Sequence, residues 1–380
     1  MDAHKRAALK PRMGTQMIFG IAWFVIMWFG LVLVALVAAA MFVVRQKNDA
    51  GTDSRATSHQ PQSNARQKVL EKVQGMHAAS EGLRGRARIK ALRRYMNSMN
   101  DEWERVSGIR PAKEGEPNGE WVIAPGSDPN RRILYIHGGA WIAGSPKSHR
   151  SITDRLSRLT HACVFAVDYR LMPENRYLDG IVDCQQAYRW ILDNGPDEKA
   201  AADFVVIAGD SAGGSHTLGL IAWIRDQNLT PPNAAVALSP STDLMLTSLS
   251  ERANLKTDAM LGPAVEKLAR IPSPLLWWGT VFGIRMLPTS PMASPLRGSL
   301  HSLPPTLIHV SDSELLHENA QRYVAKAQQA GSPVEIKTWP DMVHVWHMFT
   351  PLLPEAEEAF ENIGEFLARV DVLHDDGSSP

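Results

Sequence analysis

A glycine-flanked serine, a second glycine-rich loop and a late histidine are the residues of this 380-residue chain whose types and spacing could do covalent chemistry. Gly209-Asp210-Ser211-Ala212-Gly213 fits G-x-S-x-G and follows the apolar run 204–208. A serine on a sharp strand-to-helix turn presents its Oγ outward, and glycines two residues either side give the chain room to close. The N–H of Ala212 would then face the same spot. His137-Gly138-Gly139-Ala140-Trp141 follows the run 133–136. Its small residues let backbone amides approach closely, as stabilising a tetrahedral oxyanion requires, with donors about 2.7–3.1 Å away. A phosphate loop is the rival reading. However, the Lys-Ser/Thr ending of a P-loop and the spacing of a dinucleotide loop are both absent.

A serine hydroxyl is a poor nucleophile until a base takes its proton, and the base needs an acid to fix its tautomer. His344 follows the run 334–338, and Asp312 follows 306–310 with Ser311 between. Nucleophile, acid and base then fall in chain order at successive strand ends. Glu314, Asp341 and Asp243 compete with Asp312 for the acid, Asp243 lying one strand too early. His347 is the rival base, with a packed loop histidine as its plainer role, while His309 and His317 read as structural. No HExxH or CxxC occurs, and the sequence calls for neither metal nor cofactor.

Positioning these groups needs a sheet. Apolar runs at 121–124, 133–136, 163–167, 204–208, 236–238, 306–310 and 334–338 alternate with helical stretches near 148–160, 178–194, 212–227, 317–330 and 355–369. That alternation predicts βαβ crossovers and a mostly parallel sheet covered on both faces. The stretch 245–287 breaks the pattern with an apolar insertion that contains Trp277 and Trp278. Two amphipathic helical patterns rich in Lys and Arg fill 65–107. Cys163 and Cys184 read as buried apolar residues, and two cysteines cannot build a disulfide framework.

The N-terminus is of another kind. Residues 1–16 are basic, and 17–44 are almost wholly apolar with no charge. Twenty-eight helical residues reach about 42 Å against a hydrocarbon core of about 30 Å, so a single transmembrane anchor in the lipid bilayer is expected. Four cations precede it and three follow closely, which places the catalytic body on the extracytoplasmic side by the margin of one charge. A polar tether occupies 45–64. Forty basic residues balance forty acidic ones, giving no electrostatic case for nucleic acid.

With these motifs in order, the chain resembles the hormone-sensitive-lipase-like (bacterial family IV) serine esterases of the α/β-hydrolase fold. The likeness runs from about Trp121 to Leu367. It rests on HGGAW at 137–141, Asp168-Tyr169-Arg170-Leu171-Met172-Pro173-Glu174, GDSAGG at 209–214, Ser239-Pro240, Asp312-x-Glu314 with Leu315, and Met342-x-His344. The resemblance implies Ser211 as nucleophile, His344 as base and Asp312 as orienting acid. It implies oxyanion amides from Gly138, Gly139, Ala140 and Ala212, and a small-molecule ester as substrate. It further implies a catalytic domain over 108–380 under a helical cap built from 65–107 and about 245–287. Trp141, Trp277 and Trp278 then become candidate pocket residues for an apolar acyl or alcohol group. Ala140 stands where the family often has a third glycine, and Ser215 where it often has asparagine. Two other readings share these residues: an amidase or deacetylase with the same triad, and a catalytically silent receptor module.

Overall fold

The computed structural model describes residues 64–99, 101–102, 104–245, 254–268 and 271–375. The expected basic segment, the anchor at 17–44 and the tether up to residue 63 lie outside the described residues. Among those that are described, no helix is long and apolar enough to cross a membrane.

Eight strands form one sheet in the order β1-β2-β4-β3-β5-β6-β7-β8. They are β1 (Gly108–Pro111), β2 (Gly119–Ile123), β3 (Asp128–Ile136), β4 (Ala162–Val167), β5 (Phe204–Asp210), β6 (Ala234–Leu238), β7 (Thr306–Ser311) and β8 (Val334–Trp339). The first two pairings, β1 with β2 and β2 with β4, are antiparallel. All others are parallel. The inner parallel strands β4 to β7 are short β-branched and apolar runs because helices bury them on both faces, which is also why they stand out in the sequence, while the edge strand β8 keeps Glu335 and Thr338 exposed.

Alternation along the strands sorts the core into two layers. From β3, Ile133 and Tyr135 join one layer, with Ile152 and Leu156 of α3 (Arg150–Thr160) and Phe360 and Ile363 of α9 (Pro354–Asp375). Leu134 and Ile136 join the other. There they meet Tyr188 and Ile191 of α4 (Tyr177–Asp193), Leu218 and Ile221 of α5 (Ser211–Asp226) and Tyr323 of α8 (His317–Gln329). Cys163 and Cys184 lie unbonded in this second layer, as buried apolar residues. One charge is sealed in: Arg132 has no exposed surface, and its guanidinium donates to the carbonyls of Pro129, Ile191, Leu192 and Ala201. Carbonyl dipoles replace the lost water there, without which burying the cation would be prohibitive.

Ahead of the sheet come α1 (Asn64–Ala79) and α2 (Gly85–Ser98). Asn64, expected as the last tether residue, already starts α1. Val69 and Val73 of α1 are buried in the first core layer, and Arg66 pairs with Glu355 at 2.7 Å. The insertion after β6 carries α6 (Gly262–Leu268) and α7 (Ser273–Ile284).

Candidate active site

Four neighbouring strands, β5 to β8, run parallel, so the loops leaving their C-terminal ends open on one edge of the sheet. Those loops carry Ser211, Ser239, Glu314 and His344. The loop leaving β3, beside β5, carries residues 137–141.

Ser211 opens α5 directly after β5 with φ +50°, a left-handed conformation that costs a non-glycine residue about 1–3 kcal/mol. Ala140, Trp141, Ser239 and Val345 share it, with φ of 53°, 60°, 47° and 52°. The strain thus gathers on the loops that meet here. Glycine at 213 is a steric demand: a Cβ would run into the backbone carbonyls of Ile136 and His137.

His344 connects the parts. It is 2% exposed, its Nε2 lies 2.8 Å from Ser211 Oγ, and its Nδ1 lies 2.7 Å from Glu314 Oε2. The other oxygen of Glu314 accepts the Ser239 hydroxyl at 2.8 Å and the Ser311 N–H at 2.8 Å. Ser239 Oγ in turn accepts the Val345 N–H at 3.2 Å, tying the base to the end of β6. Burial pulls the His344 imidazole down. The Glu314 hydrogen bond and charge, aided by Asp258 and Asp210, outweigh it and hold the group above the ordinary histidine range.

Asp312, expected as the acid, does not reach His344. The strand β7 ends at Ser311, and Asp312, the next residue, faces solvent. Its carboxylate accepts the Asp341 N–H at 3.0 Å and the Ser313 hydroxyl at 3.2 Å. The chain then folds back, Glu314 N–H donating to Ser311 O at 3.1 Å, and this turn puts the fully buried Glu314 under the imidazole. The other rivals are engaged elsewhere. Asp243 pairs with Arg297 at 2.8 Å. His347 is buried against Trp346, ring centroids 4.1 Å apart, with its Nε2 3.1 Å from His309 Nδ1. His309 Nε2 lies 3.0 Å from Asn362 Oδ1.

The oxyanion loop needs one correction as well. The Gly138 N–H donates to Asp210 Oδ1 at 3.0 Å, which removes it from the expected donor set. Asp210 also accepts the Tyr135 hydroxyl at 2.5 Å, and His149 Nε2 lies 3.3 Å from its other oxygen. Burial opposes the charge on Asp210, yet His149 and these hydrogen bonds hold its carboxyl below the usual range, and His149 is raised in return. This buried pair fastens the glycine loop to the serine turn. Among the described residues, no acceptor is bonded to the N–H groups of Gly139 or Ala140. Ala212 lies in the first turn of α5, where N–H groups have no intrahelical acceptor. These three amides are therefore not committed to an acceptor among the described residues.

Of the expected pocket residues, Trp141 lies on the loop that leaves β3. It packs edge-on against Tyr177 at 5.4 Å and against His216 at 6.2 Å, in a small cluster with Ile181, Ile284 and Ala293. The rings of Trp277 and Trp278 meet each other, Trp278 also stacks on Phe282, and Trp278 is 53% and Phe282 72% exposed on α7. An apolar segment without charge does not tell which way its side chains face. The insertion reaches the site instead through Asn254, Thr257 and Asp258, polar residues in an irregular stretch with no periodicity to single them out.

Comparison with known proteins agrees with this geometry. The family model described as the alpha/beta hydrolase fold matches residues 133–348. An acetyl-hydrolase of Streptomyces hygroscopicus is 37% identical over 253 residues, 67% of this chain and 80% of that protein. The carboxylesterase/phospholipase LipF of Mycobacterium tuberculosis is 36% identical over 268 residues, 68% of each chain. Among solved structures, an esterase from the bacterial hormone-sensitive lipase family superposes with a TM-score of 0.70 at 28% identity, covering 82% of this chain and 99% of that one. The chain therefore belongs to the α/β-hydrolase family, in its hormone-sensitive-lipase-like esterase branch, and is an enzyme of the carboxylic-ester hydrolase class.

Proposed function

We propose that the chain hydrolyses acetyl esters and esters of small to medium apolar acyl groups through Ser211, His344 and Glu314. The observation that carries this is the unbroken relay from Ser211 Oγ to His344 Nε2 at 2.8 Å and from His344 Nδ1 to Glu314 Oε2 at 2.7 Å. Ser211 Oγ attacks the ester carbonyl carbon as its proton passes to His344 Nε2. The carbonyl oxygen becomes an oxyanion held by the amides of Gly139, Ala140 and Ala212. Collapse breaks the bond to the alcohol, which leaves with the proton from His344. Water then attacks the acyl-Ser211, giving its proton to His344, and as the bond to Ser211 breaks and the acid departs, His344 returns that proton to Ser211 Oγ. Glu314 keeps the imidazole in the tautomer whose Nε2 is free to accept. The acetyl-hydrolase relative supports the choice of small acyl groups.

The experiment is turnover of p-nitrophenyl esters from acetyl to palmitoyl by the wild-type chain and by Ser211→Ala. Serine-dependent turnover peaking at short chains is the expected result. A peak at palmitoyl would overturn the acyl-size assignment. No turnover, with Ser211 unlabelled by a fluorophosphonate probe, would overturn the mechanism.

For location, we infer that residues 17–44 anchor the enzyme in a bilayer with the catalytic body on the extracytoplasmic side. The support is the uncharged run itself and the charge asymmetry around it. Alkaline carbonate extraction should leave the chain in the membrane pellet, and external protease should digest the body in intact cells. Release into the supernatant, or a protected body, would contradict the respective half of this reading.

A further inference from the structure

The turn that delivers Glu314 is held from outside the sheet. Residues 312–316 form the link between β7 and α8, and one backbone group from each of the four residues 312–315 bonds to the insertion that follows β6. Asn254 Nδ2 donates to Asp312 O at 2.7 Å and to Glu314 O at 2.8 Å, one hydrogen for each carbonyl. Thr257 Oγ1 donates to Ser313 O at 3.0 Å. The Leu315 N–H donates to Asp258 Oδ2 at 3.0 Å. Asp258 is 2% exposed, and its other oxygen accepts the N–H groups of Met260 at 3.1 Å and Leu261 at 2.8 Å. A buried carboxylate that satisfies itself on three N–H donors, with one of them on the acid's own turn, is a costly device for a mere surface connection.

We propose that Asn254 and Asp258 are positioning residues for Glu314, so that the insertion sets the geometry and basicity of the relay it borders. This rests on the reading of Glu314 as the acid. Asn254 fixes the two carbonyls that bracket Ser313 and Glu314, and so fixes the height of the Glu314 carboxylate under His344. Asp258 fixes the exit from the turn and adds a charge. The groups facing the His344 imidazole are Glu314 from the turn after β7, Asp258 from the insertion, Asp210 from the end of β5 and His347 from the one-turn helix Trp346–Phe349. Burial keeps His347 neutral, so the three carboxylates set the field. Asn254 brings no charge, so the two residues separate geometry from electrostatics.

The test uses the full chain and p-nitrophenyl acetate, with kcat normalised to sites titrated by a fluorophosphonate, in Asn254→Ala, Asp258→Asn and Glu314→Gln. Misplacing a catalytic group by an ångström costs up to about a hundredfold. Asn254→Ala and Asp258→Asn should each lower kcat about tenfold with KM within about twofold. Of these two, Asp258→Asn and not Asn254→Ala should also move the acid limb of the kcat/KM profile to lower pH. A collapse of kcat in Glu314→Gln alone, with wild-type kcat and acid limb in the other two, would overturn the proposal. Wild-type kcat in Glu314→Gln would overturn the assignment of the acid on which it stands. Should Asp258→Asn lose its near-ultraviolet circular dichroism, Asn254→Ala combined with Thr257→Ala decides, and wild-type kcat there overturns the proposal.

Discussion

One residue, Ser313, separates Asp312 from Glu314, and the choice between them decides how the base is held. Replacing Glu314 by Gln removes the charge on the Nδ1 side of His344 and should lower kcat by about 10³–10⁴. Asp312→Asn, whose side chain accepts from the Asp341 N–H and the Ser313 hydroxyl rather than from His344, should stay within about twofold of wild type, as ester turnover can measure. The pH profile tests the same contact. His344 must be neutral to take the serine proton, and its partners hold it above the ordinary value of about 6.5. Activity should therefore rise with pH through a midpoint above about 6.5, and Glu314→Gln should move that midpoint down. The sequence names serine and histidine because glycine spacing and strand ends mark them. It leaves four acids open because a back-folding turn is set by tertiary bonds, here from Asn254 and Asp258. The same holds for Gly138, whose amide is claimed by the buried Asp210 rather than left for an oxyanion.

At the level of elements, the strands were legible because burial on both faces forces short apolar runs bounded by turns. Seven runs read from the sequence became β2 to β8. The strand missed, β1, is four residues long, with glycine and proline at its ends and only Ile109 apolar between them, too little for a run to show. The insertion was legible as apolar but not in its direction. Its helix α7 has Leu275, Trp278 and Phe282 at 64%, 53% and 72% exposure, so these side chains are not packed into the core. Trp278→Ser combined with Phe282→Ser should leave kcat/KM for p-nitrophenyl acetate within about twofold and the melting temperature nearly unchanged. Binding of a hydrophobic dye to the native protein should fall. A large rise in KM for longer acyl chains would show instead that these rings hold substrate.

Across the whole molecule, buried histidines link stability to pH. His137, His216 and His309 are each pulled down to about 3 by burial, and His347 is driven well below its ordinary value by the same cause. An unfolded chain binds these protons near pH 6.5 while the folded one refuses them, so stability falls as pH drops from about 6.5 toward 3. His149 and His344 act oppositely. Their raised values give a contribution fully present below about 6.5 and lost only as pH rises through the folded value, so inside the acid window they do not offset the loss. The depressed Asp210 behaves as buried carboxylates do, its contribution present above about 3.9 and lost below it. Each refused proton steepens the loss by about 1.4 kcal/mol per pH unit. Urea midpoints measured between pH 7.5 and 5 should fall steeply. His216 is the cleanest probe, since its buried Nε2 has no hydrogen-bond partner and its ring packs against Trp141, Tyr169 and Tyr177. His216→Leu should make the pH dependence shallower by about one proton, whatever it does to the stability at pH 7.5. An unchanged slope would mean that His216 titrates in the folded protein as it does in the unfolded chain.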